Sequence, residues 1–393
     1  MGSNAKRSPG AILFVMLVSM TAGAMCLNKV SPVLTDIMSA FSIQSASAGL
    51  LISVFVFSGI ILAIPVGMII SKFGAYKMGI LALAVTIIGS ALGALTNSYA
   101  IMLISRIVEG IGLVFLMTIG PAAVGSAFSD KRRGAAMGLL MCFMAFGQII
   151  MLNLAPLIAS ALSWKSIWWG TAIYAAIALI LWIFIARGID NSEKSEGAAI
   201  STTSILKETL TNKSLWLISI TLMCYLITQQ GTYSFLPTYL STKLGYSTSA
   251  AGSIVSVASI VGIPVGILTG VVADKIGSRK KPLGVLMIGC AVSYLLMPWF
   301  PGAIYIVLII LYGIVTMGIV GLVMASATEV IDRPDQANMA ISLVNMAQWI
   351  GIFLSSTIFG LLIDSFGWNI AFYAMIPIAI LGSICAFLNK RLK

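Results

Sequence analysis

Histidine is absent from the 393 residues. Its absence removes the commonest general base, the commonest metal ligand and the side chain that most readily carries a proton near neutral pH. Any proton coupling must therefore run through carboxylates. Charge is scarce as well: 9% of residues are Asp, Glu, Lys or Arg, against roughly 25% in an ordinary soluble domain, which excludes a water-soluble fold. The five cysteines, Cys26, Cys142, Cys224, Cys290 and Cys385, all stand inside apolar runs. They read as small packing residues rather than a disulfide framework or a metal set. There is no nucleotide-binding loop and no metal-ligand cluster, so neither an enzyme nor a cofactor is expected.

What is abundant is apolar surface, with 59% hydrophobic residues. A bilayer core of ~30 Å takes about 20 mostly apolar residues per helix. Unpaired backbone groups cannot face lipid, so the runs must be helices, and their unbroken apolarity excludes the alternation of a barrel strand. The expected fold is an all-α membrane protein of twelve transmembrane helices, at 11–41, 45–70, 78–95, 99–123, 134–162, 167–186, 215–239, 247–273, 283–300, 303–329, 337–363 and 368–388. The polar segment 187–213 divides a first domain, 1–186, from a second, 214–393. Lys6, Arg7, the first apolar run and Ala22-Gly23-Ala24 have the look of a cleavable leader. Cleavage would leave an odd number of helices, so the run is taken as the first span, continuing with a kink past Pro32 because Val33, Leu34, Ile37, Met38 and Phe41 keep helical spacing.

The net charge of +11 would suggest a nucleic-acid partner in a soluble protein; here its distribution sets orientation instead. The termini and the loops after even-numbered spans hold nearly all the basic residues, and the opposite loops hold only Lys165 and Lys243. The positive-inside rule places both termini in the cytoplasm, in a multi-pass protein of the cytoplasmic (inner) membrane whose macromolecular surroundings are lipid, not nucleic acid. The chain is read as a monomer.

The sequence repeats itself. Gly270-Val271-Val272-Ala273-Asp274-Lys275-Ile276-Gly277-Ser278-Arg279 has a faded copy half a chain earlier, Gly67-Met68-Ile69-Ile70-Ser71-Lys72-Phe73-Gly74. Ala48-Gly49 matches Ala251-Gly252, Met144-Ala145 matches Met346-Ala347 and Trp164 matches Trp368, all at nearly the same offset. The loop Gly270 to Lys281 resembles the major facilitator superfamily motif Gly-x-x-x-Asp-Arg/Lys-x-Gly-x-Arg/Lys-Arg/Lys, and Arg106 to Gly112 resembles that family's fourth-helix motif Arg-x-x-x-Gly-x-Gly. The resemblance implies two pseudo-symmetric six-helix bundles around a central cavity that opens alternately to either side. It also implies that Gly67, Ser71, Gly74, Gly270, Asp274, Gly277 and Arg279 belong to gating loops that latch the cytoplasmic side.

Two departures stand out. Ser71 replaces the family's aspartate in the first loop, and the fifth span has Gly147-Gln148 and Asn153-Leu154-Ala155-Pro156 in place of the Gly-Pro-rich antiporter motif. More loosely, Pro32 late in the first span and Ser163-Trp164-Lys165 before the sixth are similar to the cyanate-permease-like branch.

An ionisable residue in a membrane helix is expensive and marks a site by default. Lys29 stands about 12 residues, or ~18 Å, before the end of the first span, near the midplane and beside Asn28. The alternative is that the helix stops at Pro32 and Lys29 snorkels to the headgroups. Arg106 and Glu109 share a face of the fourth span, either as a self-neutralising pair or as cavity residues. Burial favours the neutral form of Glu109 and a nearby cation the charged form, so it is the candidate for proton coupling.

Two cations against one carboxylate leave a positive surplus, which points to a small anionic substrate held by a bidentate arginine and a lysine point charge. The second half offers Tyr225, Gln229, Gln230 and Tyr233 in the seventh span and Asn345, Gln348 and Trp349 in the eleventh as further substrate contacts. Asp274 is expected to accept from backbone N–H groups or face a neighbouring helix N-terminus, with Arg279, Lys280 and Lys281 facing anionic lipid. Asp36 and Glu329 near helix ends are expected to be solvated. The reading is a secondary transporter of small anions, by alternating access and coupled to protons; the rival is an exporter of neutral or amphipathic compounds.

Overall fold

The computed structural model describes residues 8–62, 65–187, 189, 208–300, 302–331, 333 and 336–392. Among these every regular element is helical. Ser8 caps the first helix, its side chain accepting from the Ala11 N–H, with Pro9 in the first turn of α1, Pro9–Asn28. Pro32 has no N–H and its ring crowds the carbonyl one turn back. The helix accordingly gives way at Lys29 to a 3-10 turn, Ser31–Val33, and resumes as α2, Leu34–Phe41. The kinked continuation is therefore present.

The second span is more broken than its apolarity suggested: α3, Ser45–Ser53, a 3-10 turn, Val54–Val56, then α4, Phe57–Leu62, and α5, Pro65–Phe73. There follow α6, Ala75–Leu95, α7, Tyr99–Ala127, α8, Asp130–Met141, α9, Phe143–Ala161, and α10, Trp164–Ile185. The later helices are α11, Lys213–Thr242, α12, Thr248–Ile276, α13, Lys280–Leu296, α14, Ala303–Met317, α15, Ile319–Glu329, α16, Ala337–Phe366, and α17, Trp368–Leu388.

Two expected helices are each a pair. The fifth breaks at Cys142 and the tenth at Gly318, a position where a Cβ would overlap the Thr269 side chain. Such breaks leave composition unchanged on either side and so are invisible to an apolarity count. Among the described residues, ten stretches are long and apolar enough to cross a membrane. Of the twelve expected, α11 is long enough at 30 residues but polar through its middle, and α13 has only 17 residues and begins with two lysines.

Two compact units divide the described residues. The first holds those up to Val33 and those from Val54 to Ile189; the second holds Leu34–Ser53 and those from Glu208 onward. In the first, α1 packs on α7, α9 and α10, and α6 on α7 and α10; in the second, α16 packs on α11 and α3, and α17 on α11 and α13. Residues 190–207, most of the expected linker, lie outside the described residues. The outer surface is apolar, with Ile88, Phe184 and Leu95 each more than half exposed, as a lipid-facing surface requires.

Candidate functional site

The break at Lys29 ends α1 inside the first unit, where the lysine meets α6, α7 and α10. Lys29 Nζ donates to Glu109 Oε1 at 2.5 Å, to Thr171 Oγ1 at 3.0 Å and to Ser90 Oγ at 3.2 Å, and lies 4.6 Å from the centre of a Trp168 ring. The Ser90 hydroxyl donates to the same Glu109 oxygen at 2.6 Å. The other oxygen, Oε2, takes Arg106 Nη1 at 2.5 Å, and Nη1 also reaches the Cys26 carbonyl at 2.7 Å. The Arg106 guanidinium sits 4.6 Å from the centre of the Phe55 ring.

Lys29, Arg106 and Glu109 are each 0% exposed. The snorkelling alternative for Lys29 is thereby overturned: continuation of the first span past Pro32 keeps the ammonium inside, and Glu109 supplies its counter-charge. Nor do Arg106 and Glu109 form a self-contained pair, because Lys29 shares the carboxylate.

Glycines make the close approach possible. A Cβ at Gly89 would overlap Glu109, one at Gly110 the Phe55 carbonyl, and one at Gly112 the Ala82 carbonyl and Thr86 hydroxyl. The last two are the glycines of the fourth-span motif. Their role here is to let α7 lie against α6 and the 3-10 turn, which brings Arg106 beneath Phe55.

Chemically, the triad is two fixed cations bridged by one carboxylate. It carries a single net positive charge in a medium where desolvation of an ion costs several kcal/mol.

The second-half candidates lie in the second unit. Tyr225 donates to the Thr316 carbonyl at 2.9 Å, and Tyr233 pairs with the Ser259 hydroxyl at 2.9 Å. A Tyr294–Tyr312 hydroxyl pair at 3.0 Å extends this network, and Tyr312 stacks on Tyr233. Sequence reasoning missed both residues because a tyrosine in an apolar span carries no sign of its partner. Gln229 and Trp349 are each 8% exposed, while Gln230, Asn345 and Gln348 are half-buried. Asn28 turns back on its own helix, donating to the Ala24 carbonyl at 2.8 Å.

The loop after α12 also needs correction. Gly277 closes the helix with φ +64°, a left-handed cap that suits glycine. The Asp274 carboxylate meets Arg279 at 3.5 Å, not backbone N–H groups, and Arg279 reaches across to Glu329 at 3.0 Å. Arg279 thus faces two carboxylates, and Glu329, exposed as expected, is also paired. In the weaker copy, Ser71 donates to the carbonyl of Gly67 at 2.9 Å, within its own helix, and Gly74 has φ +88°.

The described residues form an all-helical, multi-pass membrane protein with a buried charge cluster, and its relatives make it a transporter rather than an enzyme. The chain belongs to the Major Facilitator Superfamily, whose family model matches residues 12–339. It is 27% identical over 282 residues to the glycerol-3-phosphate transporter of Bacillus subtilis, covering 65% of this chain and 63% of that protein. It is 24% identical over 206 residues to the lincomycin resistance protein LmrB of Listeria monocytogenes, covering 52% and 43%. Its fold is similar to that of a bacterial homologue of the human lysosomal transporter Spinster in an inward-facing, unoccupied conformation. The TM-score is 0.83 at 15% identity, covering 99% of this chain and 98% of that one. These matches define the superfamily and leave the cyanate-permease-like branch undistinguished.

Proposed function

We propose that the protein is a secondary transporter that moves a small anion, a carboxylate or phosphate-like group, across the cytoplasmic membrane by alternating access with proton coupling. The single observation that carries this reading is the buried Lys29–Glu109–Arg106 triad with its net positive charge. Two cations share one carboxylate, and both Lys29 and Arg106 are bonded to it. When Glu109 takes up a proton it gives up its charge and its hold on both, leaving two cations without a counter-ion. A monoanion then supplies the missing negative charge, held by the arginine fork and the lysine. One proton entering with one monoanion leaves the buried charge where it began, so the loaded site carries no additional charge through the membrane.

In this reading the chain forms twelve spans in two six-helix halves, 1–186 and 214–393, joined by 187–213, with both termini cytoplasmic and the protein acting as a monomer among membrane lipids. Asn28, Tyr225, Gln229, Gln230, Tyr233, Asn345, Gln348 and Trp349 supply further substrate contacts. The loops around Gly67, Ser71 and Gly74 and around Gly270, Asp274, Gly277 and Arg279 act in gating. The relation to a glycerol-3-phosphate transporter supports the choice of an anion.

A second reading, export of neutral or amphipathic compounds, is favoured by the internal bonding of the triad, which would serve a purely structural role, and by the relation to a lincomycin resistance protein. Uptake of a labelled anion panel into proteoliposomes separates the two. The anion reading expects uptake that Lys29→Gln and Arg106→Gln abolish; absence of uptake across the panel, or normal transport by both variants, ends it.

A further inference from the structure

Each cation of the triad touches more than the shared carboxylate. Lys29 Nζ lies 4.6 Å from the centre of a Trp168 ring, and the Arg106 guanidinium lies 4.6 Å from the centre of the Phe55 ring. Both aromatic residues are buried, Trp168 on α10 and Phe55 in the 3-10 turn Val54–Val56. All of these residues belong to the first unit.

Both aromatic residues are seated against glycine. A Cβ at Gly93 of α6 would overlap the Trp168 ring, and one at Gly110 of α7 the Phe55 carbonyl. Trp164 meets Trp168 edge-on at 5.4 Å, and the Thr171 hydroxyl donates to the Trp168 carbonyl at 2.9 Å. The indole is thus fixed from several sides, yet its buried N–H makes no hydrogen bond among the described residues. A buried donor without an acceptor costs free energy that phenylalanine at the same place would not. What tryptophan offers in return is the ring face that attracts a cation best.

The need for such a face arises when Glu109 is protonated. Lys29 then keeps the Ser90 and Thr171 hydroxyls and Arg106 keeps the Cys26 carbonyl, none of them charged. A ring face attracts a cation through its quadrupole, more strongly where water is excluded. It carries no net charge, so it does not repel an incoming anion as a second carboxylate would.

We infer that Trp168 and Phe55 are positioning residues, the seats that hold Lys29 and Arg106 charged and in place while Glu109 is protonated. On loss of the carboxylate charge Lys29 moves toward the indole face and Arg106 toward the Phe55 ring. An anion then meets a formed site instead of two dispersing side chains. The inference rests on the reading of Glu109 as the group that takes up the proton.

The test uses neither anion nor transport, so its failure and that of the anion reading are separable. The chain grown with fluorotryptophan and purified in detergent gives eight fluorine resonances, one for each tryptophan. That of Trp168 is the one missing from Trp168→Phe. Glu109→Gln should shift it more than any other, as the ammonium closes on the ring, and the same substitution should leave it unmoved in Lys29→Met. For the second ring, Phe55→Leu and Glu109→Gln together should lower the melting temperature by more than the sum of their separate effects. A ring that only fills space gives that sum or less. Glu109→Asp, which withdraws the carboxylate by one methylene, should act in the same direction and replaces Glu109→Gln in both measurements if that variant fails to fold. An unmoved Trp168 resonance, a shift that persists without Lys29, or an additive Phe55 pair overturns the inference.

Discussion

Replacing Glu109 with glutamine keeps the shape of the side chain and deletes its charge, so the buried cluster goes from one net positive charge to two. Lys29 Nζ and Arg106 Nη1, each 2.5 Å from the carboxylate, then face an amide that can neutralise neither. Removing one partner of a buried ion pair costs about 3–5 kcal/mol, so the purified variant should melt well below the wild type. An anion that supplies the missing charge beside the two cations should offset much of this. Ligand at a hundred times its dissociation constant returns about 2.7 kcal/mol, and the gain should exceed that of the wild type, whose own carboxylate competes for the cations. In proteoliposomes Glu109→Gln resembles a permanently protonated site. It should exchange labelled for unlabelled anion across the membrane yet fail to accumulate anion when the outside is acidified, which the wild type should do. Accumulation by Glu109→Gln at the wild-type level, or melting indistinguishable from wild type in the absence of anion, would refute the reasoning.

Other outcomes follow from the same geometry. Lys29→Met combined with Glu109→Gln should be less destabilised than the two single variants added together, as residues sharing one ion pair require, and thermal melts of the four proteins measure the difference. Gly110→Ala drives a methyl into the Phe55 carbonyl and should lower stability by about 1–3 kcal/mol, read by denaturation in detergent. Asp274→Asn should slow transport more than Ser71→Ala. Asp274 shares Arg279 with Glu329, whereas the Ser71 hydroxyl only returns to its own helix. An exposed pair of this kind contributes about 0.2–1 kcal/mol, so the melting point should scarcely move while initial transport rates fall.

The residues that the sequence singled out and the structure brings together are those whose cost is visible without a partner. Lys29, Arg106 and Glu109 announce themselves because a charge in an apolar helix needs a reason, and Pro32 with the apolar spacing beyond it placed Lys29 inside the bundle. Their mutual arrangement was not legible. Nothing in the chain says that Lys29 meets Glu109 from 80 residues away, or that Ser90 and Thr171 complete its bonds. The glycines that permit the contact were legible only in part. Gly110 and Gly112 stood in a motif, whereas Gly89 looked like any small residue in a membrane helix.

Charges near helix ends were legible as exposed but not in their pairing. Asp364 drew no notice and caps α3, while Glu329, read as solvated, is exposed and also pairs with Arg279. A polar residue at a membrane face carries no desolvation cost to advertise its role, and its partner is set by which helix ends fold next to it.

The central claim is that the triad's surplus positive charge receives an anion when Glu109 is protonated. Thermal melts of the purified protein against small carboxylates, phosphate esters and cationic drugs, repeated at two pH values, test it most directly. The account predicts that at least one anion raises the melting point, more at the lower pH, and that Lys29→Gln removes the effect. Stabilisation by cationic or neutral compounds alone, or an anion effect that survives in Lys29→Gln, would contradict it.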